Sequence, residues 1–218
     1  GTNQDYWWGS AYALHFLVEA KKNGFEVSDK VINDLTEYIT QKTNNASDEN
    51  ADKNEIIWVK YNNQWTKKER LMTEYIYSLY VLSLTDFPNL AEMNSYKAQF
   101  ATLPNEQQFL LACAYKQIGD DATFGTLLPK TFVNDNYEKM LYGSFSSPIR
   151  SMAMVLNTLV ETDPTNPKVA SLSQSLSNIL SNKSNYLNTQ GLGFSMLAMG
   201  KILKKAQTNG KVQIWANG

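Results

Sequence analysis

The side chains that most often carry out chemistry are scarce in these 218 residues: there is one histidine, His15, and one cysteine, Cys113. A histidine can act as a general acid or base when its environment tunes its pKa. His15, however, lies in an apolar run between Trp8, Tyr12 and Val18, with Glu19 four residues on. That is the setting of a core histidine with a hydrogen-bonded ring nitrogen. Cys113 sits midway along LLACAYKQ, whereas a reactive thiolate needs an electropositive or helix-N-terminal setting. It reads as a buried structural thiol. A single cysteine excludes an internal disulfide and a multi-cysteine zinc site, and one histidine cannot build a His-rich metal site. No metal or cofactor is expected.

Acidic pairs offer little more. Asp120-Asp121 falls where one helix hands over to the next, so its expected use is capping; Asp48, Glu49 and Asp52 belong to a polar loop. Two carboxylates placed for glycoside hydrolysis are therefore not evident, and no glycine-rich phosphate loop occurs. The remaining candidates are aromatic and amide groups. Tyr6, Trp7, Trp8 and Tyr12 concentrate ring surface at one helix start, and Asn188-Thr189-Gln190 forms the polar entrance of another. The rings can be a stacking platform, a wall around a reactive group, or core.

Helices must position these groups. Apolar residues recur with helical spacing in nine segments, beginning near residues 6, 28, 67, 88, 104, 121, 148, 167 and 188. The segments alternate in kind. KKERLMTEYIYSLYVLSL (67–84), NEQQFLLACAYKQI (105–118), PIRSMAMVLNTLVE (148–161) and GLGFSMLAMGKI (191–202) are apolar on most sides and must be enclosed. The first helix, running to Lys22, belongs with them. Segments 31–39, 88–101, 121–131 and 167–181 carry one apolar stripe each and lie on the surface. Buried helices begin roughly every 40 residues after the long loop, the mark of an array of αα-hairpins. The predicted fold is all-α: an α/α toroid over 1–210 with inner and outer rings, incomplete at its N-terminal side, in preference to an open solenoid. Three stretches depart from it. Residues 43–56 are a polar loop, Ile56–Trp65 alternates as a hairpin turning at Asn62-Asn63, and KVQIWANG (211–218) reads as a strand whose partner lies elsewhere.

Charge and composition restrict the partners. Hydrophobic residues make up 43% of the chain and the net charge is -1, so there is no basic excess for nucleic acid. No apolar run approaches the roughly 20 residues that span a bilayer. A chain that starts at Gly1 rather than Met reads as a piece of a longer protein, so the missing signal peptide carries no address.

Four stretches, in order, resemble the thioester-containing domain of the alpha-2-macroglobulin and complement family, particularly its bacterial members. Trp8-x-Ser10-Ala11-Tyr12, followed by Phe16-Leu17 and the turn Ala20–Val27, is similar to that family's Trp-x-Thr/Ser-Ala-Tyr helix and the turn after it. NEQQFLLACAYKQIGD resembles the Ala-rich helix ending in Gly-Asp, and LYGSFSSPIRSMAMVLNTLVE resembles the tyrosine-glycine-serine segment and its arginine helix. Asn188-Thr189-Gln190 resembles the Asn-Thr-Gln entry of the last inner helix. The chain contains no Cys-x-Glu-Gln thioester motif, and WVKYNNQWTKKERLM (58–72) has no histidine where some complement members carry one.

The resemblance implies a toroid and a non-catalytic part of a broad-spectrum protease trap. In such a trap, cleavage of a bait region exposes a thioester to a lysine of the attacking protease. It also implies a flanking β-sandwich reached through 211–218 and a periplasmic or cell-envelope location. Trp7, Trp8, Tyr12 and Gln190 would then wall the thioester pocket, if the N-terminal ends of the inner helices converge on one face. Two other readings remain open at this point: a toroidal enzyme acting on glycans or isoprenoids, and a helical-repeat scaffold that binds a peptide.

Overall fold

A computed structural model describes residues 6–44, 53–61, 64–133, 147–182 and 189–209. The chain divides into two compact units, 1–135 and 136–218. The first contains helices α1 (Trp7–Lys22) and α2 (Asp29–Thr43), a hairpin of β1 (Asn54–Tyr61) and β2 (Gln64–Leu71), then α3 (Thr73–Ser83), α4 (Leu90–Ala98), α5 (Asn105–Gln117) and α6 (Asp121–Leu127). The second contains α7 (Pro148–Thr162), α8 (Pro167–Ser181) and α9 (Thr189–Asn209).

The two kinds of helix are present as the periodicity requires. Every residue of α3 from Tyr75 to Ser83 is buried, and so is α5 from Phe109 to Tyr115. By contrast α2 buries only Thr36, Ile39 and Thr43, α4 only Glu92, Met93 and Tyr96, and α6 only Phe124. Helix α3 packs on α1, α2 and α5, and α5 packs on α6. In the second unit α7 is buried from Arg150 to Val160 and packs on α8 and α9, while α8 buries only Leu172 and Leu176.

The handovers between helices follow from short polar signals. Helix α1 ends in a Schellman motif: Phe25 N donates to Ala20 O at 3.1 Å and Gly24 N to Lys21 O at 3.0 Å, with Gly24 at φ 83°. Helix α5 ends the same way, Asp120 N donating to Tyr115 O at 2.9 Å and Gly119 N to Lys116 O at 3.0 Å, with Gly119 at φ 86°. Asp120 then caps α6, its carboxylate accepting from Thr123 N at 2.9 Å. Those bonds from Thr123 hold the Asp120 carboxyl below the ordinary aspartate range. Helices α7 and α8 both start with a capping side chain, Ser147 or Asn166, followed by proline at the first helical position.

Three expectations need correcting. The segment 67–71 is strand, not helix: Lys67 pairs with Trp58 and Leu71 with Asn54, so β2 runs on to Leu71 and α3 starts at Thr73. KKERL has good helix formers, but a ladder partner across the hairpin outweighs that weak preference. Second, α6 stops at Leu127 rather than 131, because Leu128 precedes Pro129 and is driven to ψ 116°. Third, α9 is not enclosed on all sides. Gly191, Phe194, Ser195 and Ala198 are buried, but Leu192, Met196 and Leu203 are exposed, Met196 by 76%. Helix α1 similarly exposes Tyr12 and Phe16, so an apolar surface in the sequence is not in itself a buried one. The turn residues Asn62-Asn63, most of the polar loop and the strand expected at 211–218 lie outside the described residues.

Gly24→Ala and Gly119→Ala test the two helix ends without steric complication, since nothing lies within 4 Å of an added Cβ at either position. Each is expected to cost about 1–2 kcal/mol from backbone strain alone, read as a lower urea midpoint with an unchanged slope. For Asp120 the folded pKa is lowered, so its stabilisation is present above the unfolded value of about 3.9 and lost as pH falls through the folded value. The stability gap between wild type and Asp120→Ala should therefore narrow when melts are repeated at progressively more acid pH.

Candidate functional site

In the first unit the aromatic residues at the start of α1 are built into α3. Trp7 and Trp8 point to different neighbours, as consecutive helical residues must. The Trp7 ring meets Tyr75 edge-on, with centroids 4.6 Å apart, and its indole N–H donates to Ser78 Oγ at 2.9 Å. The Trp8 ring stacks on Tyr77 at 4.8 Å and 29°. Tyr75 continues the array to Tyr96 on α4, 6.2 Å away. Burial is the main cause that pushes the Tyr96 phenol well above the ordinary tyrosine range, with Tyr75 and Glu92 adding to it. The Tyr96 phenol is thus neutral at physiological pH. Tyr12, one turn along α1 from Trp8, is exposed.

His15 occupies the core position expected of it. It is 4% exposed, and its Nδ1 lies 2.9 Å from the Tyr77 hydroxyl. Its ring also meets Tyr80 edge-on at 5.8 Å. A carboxylate oxygen of Glu19 lies within 4.8 Å of a ring nitrogen of His15. Cys113 is fully buried within α5.

The same end of α3 also receives the hairpin. Met72 N donates to Lys53 O at 2.9 Å and closes the hairpin base, and the buried amide of Gln107 on α5 donates to Leu71 O at 2.7 Å. Helix α5 is tied outward to α4 by Tyr115, whose hydroxyl donates to Asn94 Oδ1 at 2.9 Å.

Gln190 belongs to the second unit, in the first turn of α9. Its Oε1 accepts from Arg150 Nη1 at 3.2 Å. Arg150 is buried in the first turn of α7, its backbone N–H donating to the Ser147 hydroxyl at 3.1 Å. At the other end of these helices Glu161 Oε1 accepts from Asn157 Nδ2 at 2.7 Å and from Lys201 Nζ, and Lys205 Nζ donates to Val160 O at 3.2 Å. Polar pairs therefore fix the register of α9 on α7 at both ends. Trp7, Trp8 and Tyr12 lie together on α1, and Gln190 lies in the other unit.

The sequence alone does not single out Ser78, Tyr75 or Tyr77, and it marks Arg150 only as the arginine of a family-like helix. Helical spacing gave a usable signal for the tyrosines, which with Tyr80 crowd one short apolar helix. Arg150 was visible as the lone cation within the apolar run PIRSMAMVL.

Compared as structures, residues spanning 92% of the chain superpose on Escherichia coli alpha-2-macroglobulin activated by porcine elastase, with a TM-score of 0.69 and 22% identity. The chain has the fold of part of a bacterial alpha-2-macroglobulin. The native E. coli protein, in a structure running from domain MG7 to the C-terminus, matches 92% of the chain at a TM-score of 0.64 and 20% identity. The Salmonella protein reacted with methylamine matches 89% at 0.62 and 19% identity. The chain spans only 17%, 30% and 12% of these three chains, respectively. By sequence, no family model and no curated protein matches it. Among the described residues no helix is long and apolar enough to cross a membrane.

Trp7→Phe removes the indole donor to Ser78 while keeping the ring, and should cost about 1 kcal/mol in urea unfolding. A double-mutant cycle with Trp8→Leu and Tyr77→Leu should give a coupling of about 0.5–1.5 kcal/mol for the stacked pair. Zero coupling would mean that the stack contributes no more than its buried area.

Proposed function

We propose that this chain is the C-terminal portion of a thioester-type domain in a bacterial alpha-2-macroglobulin-like protease trap. The supporting observation is the fold likeness, over 92% and 89% of the chain respectively, to proteins described as activated by elastase and as reacted with methylamine. The four sequence stretches that resemble that family include α1, α5, α7 and the start of α9, four of the five helices expected to be inner. In this reading the inner and outer helices belong to one toroid, and residues 211–218 lead into a flanking β-sandwich. The role of the chain is structural rather than catalytic. Trp7, Trp8, Tyr12 and Gln190 line the wall of the pocket, and the thioester itself is supplied by sequence upstream of Gly1.

A thioester in such a pocket must be kept from water until a protease arrives. An aromatic wall suits that task, because it excludes water. When the trap is sprung, a lysine amine of the protease attacks the acyl carbon, the C–S bond breaks, an amide forms and the cysteine leaves as a thiol. The protein would work in the periplasm or at the cell envelope, where foreign proteases are met.

The reading is tested with the polypeptide extended upstream of Gly1 through the preceding helices. Treated with methylamine, it should gain the mass of one amine and expose one new thiol, both measurable by intact mass spectrometry with and without thiol alkylation. An unchanged mass and no new thiol would rule out the covalent trap.

A further inference from the structure

A cleft of about 460 Å³ opens in the first unit, where the last turns of α1, the first half of α2 and the turn after α3 meet. That volume is within the range of small-ligand pockets, about 300–1,000 Å³. Its apolar lining comes from Val18, Ile32 and Leu84, and the ring of Phe87, 63% exposed, stands at its edge. The C-terminal ends of α1 and α3 and the N-terminal end of α2, at Asp29, all lie here, so side chains rather than helix dipoles decide what charge the cleft prefers.

The charges divide unequally between the walls. On one side Lys21 Nζ is 2.5 Å from Asp29 Oδ1 and Lys22 Nζ is 4.0 Å from Glu19 Oε1, so both ammonium groups already have carboxylate partners. On the other side Asp86 makes no ion pair among the described residues. It is not on a loose loop. Thr85 Oγ1 donates to Leu82 O at 2.8 Å and accepts from Phe87 N at 3.2 Å, which fixes the turn that presents Asp86 and Phe87 together.

An apolar floor, an available carboxylate and an exposed aromatic face together favour a cation carried on an apolar stem. We propose that this cleft binds a lysine or arginine side chain of a peptide segment, the ammonium or guanidinium between Asp86 and the Phe87 ring and the methylene stem over Val18, Ile32 and Leu84. The volume exceeds that of a single side chain and leaves room for the backbone that carries it. This site does not depend on the thioester reading, since it uses none of the pocket-wall residues.

The test titrates the chain with three blocked tripeptides, Ala-X-Ala with X as Lys, Gln or Glu, and follows the NMR signals of Phe87 and Ile32. The Lys peptide should shift both signals saturably and more tightly than the Gln peptide, and the Glu peptide should bind least. Asp86→Asn should weaken the Lys peptide by about two- to fivefold, as for an exposed ion pair, and Phe87→Leu by about two- to fivefold through loss of the cation–π contact. Thermal melts of both variants confirm that the fold is kept. The proposal is overturned if the Glu peptide binds as tightly as the Lys peptide, if Asp86→Asn changes nothing, or if no peptide shifts these signals.

Discussion

The structure depends on the burial of helices that have no polar side. A helix such as α3, with nine consecutive buried residues from Tyr75 to Ser83, cannot be stable at a surface. It needs neighbours on every side, and the cheapest neighbours are amphipathic helices that give one stripe inward and keep the rest in water. The one-sided helices α2, α4 and α6 meet that requirement. So do their sequences, with an apolar residue or two per turn and charged residues between. Hydrophobic burial contributes about 1.5–3 kcal/mol for each large side chain taken fully out of water. Tyr77, Leu79, Tyr80, Phe109, Leu110 and Leu111 are all in that state.

Once the inner helices are committed to the interior, their ends become the places where polarity is spent. Each buried helix has to enter and leave the core through groups that satisfy its terminal amides and carbonyls. The paired Schellman endings of α1 and α5 and the Ser147 cap of α7 meet that need locally, and Asp120 and Asn166 do the same for the covering helices α6 and α8. Buried polar residues also cluster near these ends: Gln107 holds the Leu71 carbonyl, Trp7 binds Ser78 and Arg150 binds Gln190. These contacts set which residues lie at the helix entrances within each unit.

Much of this was legible in the sequence because periodicity reports burial directly. The alternation of enclosed and one-sided segments follows from residues such as those in YIYSLYVL and DKVINDLTEYI, and capping dipeptides such as Asn23-Gly24 and Asp120-Asp121 mark the ends. Long-range pairing was harder to read. Nothing local in KKERL says that it pairs with NEIIW, nine to seventeen residues earlier, and its helix propensity points the other way. The exposed Met196 and Leu203 illustrate a second limit, because composition says that a helix prefers enclosure without saying what encloses it. At the candidate site the tryptophans stood out by type, but their partners on α3 became apparent only when the two helices were packed together.

Layering of enclosed helices under one-sided covering helices is what holds the candidate site residues in place. Hydrogen exchange followed by mass spectrometry, with each peptide's rate referred to the intrinsic rate of its own sequence, measures it peptide by peptide. Amides of α3 and α5 should exchange only through global unfolding, while those of α2, α4 and α6 should open locally and exchange faster. If the one-sided helices prove as protected as α3 and α5, or α3 exchanges first, the division into enclosed and covering helices is wrong.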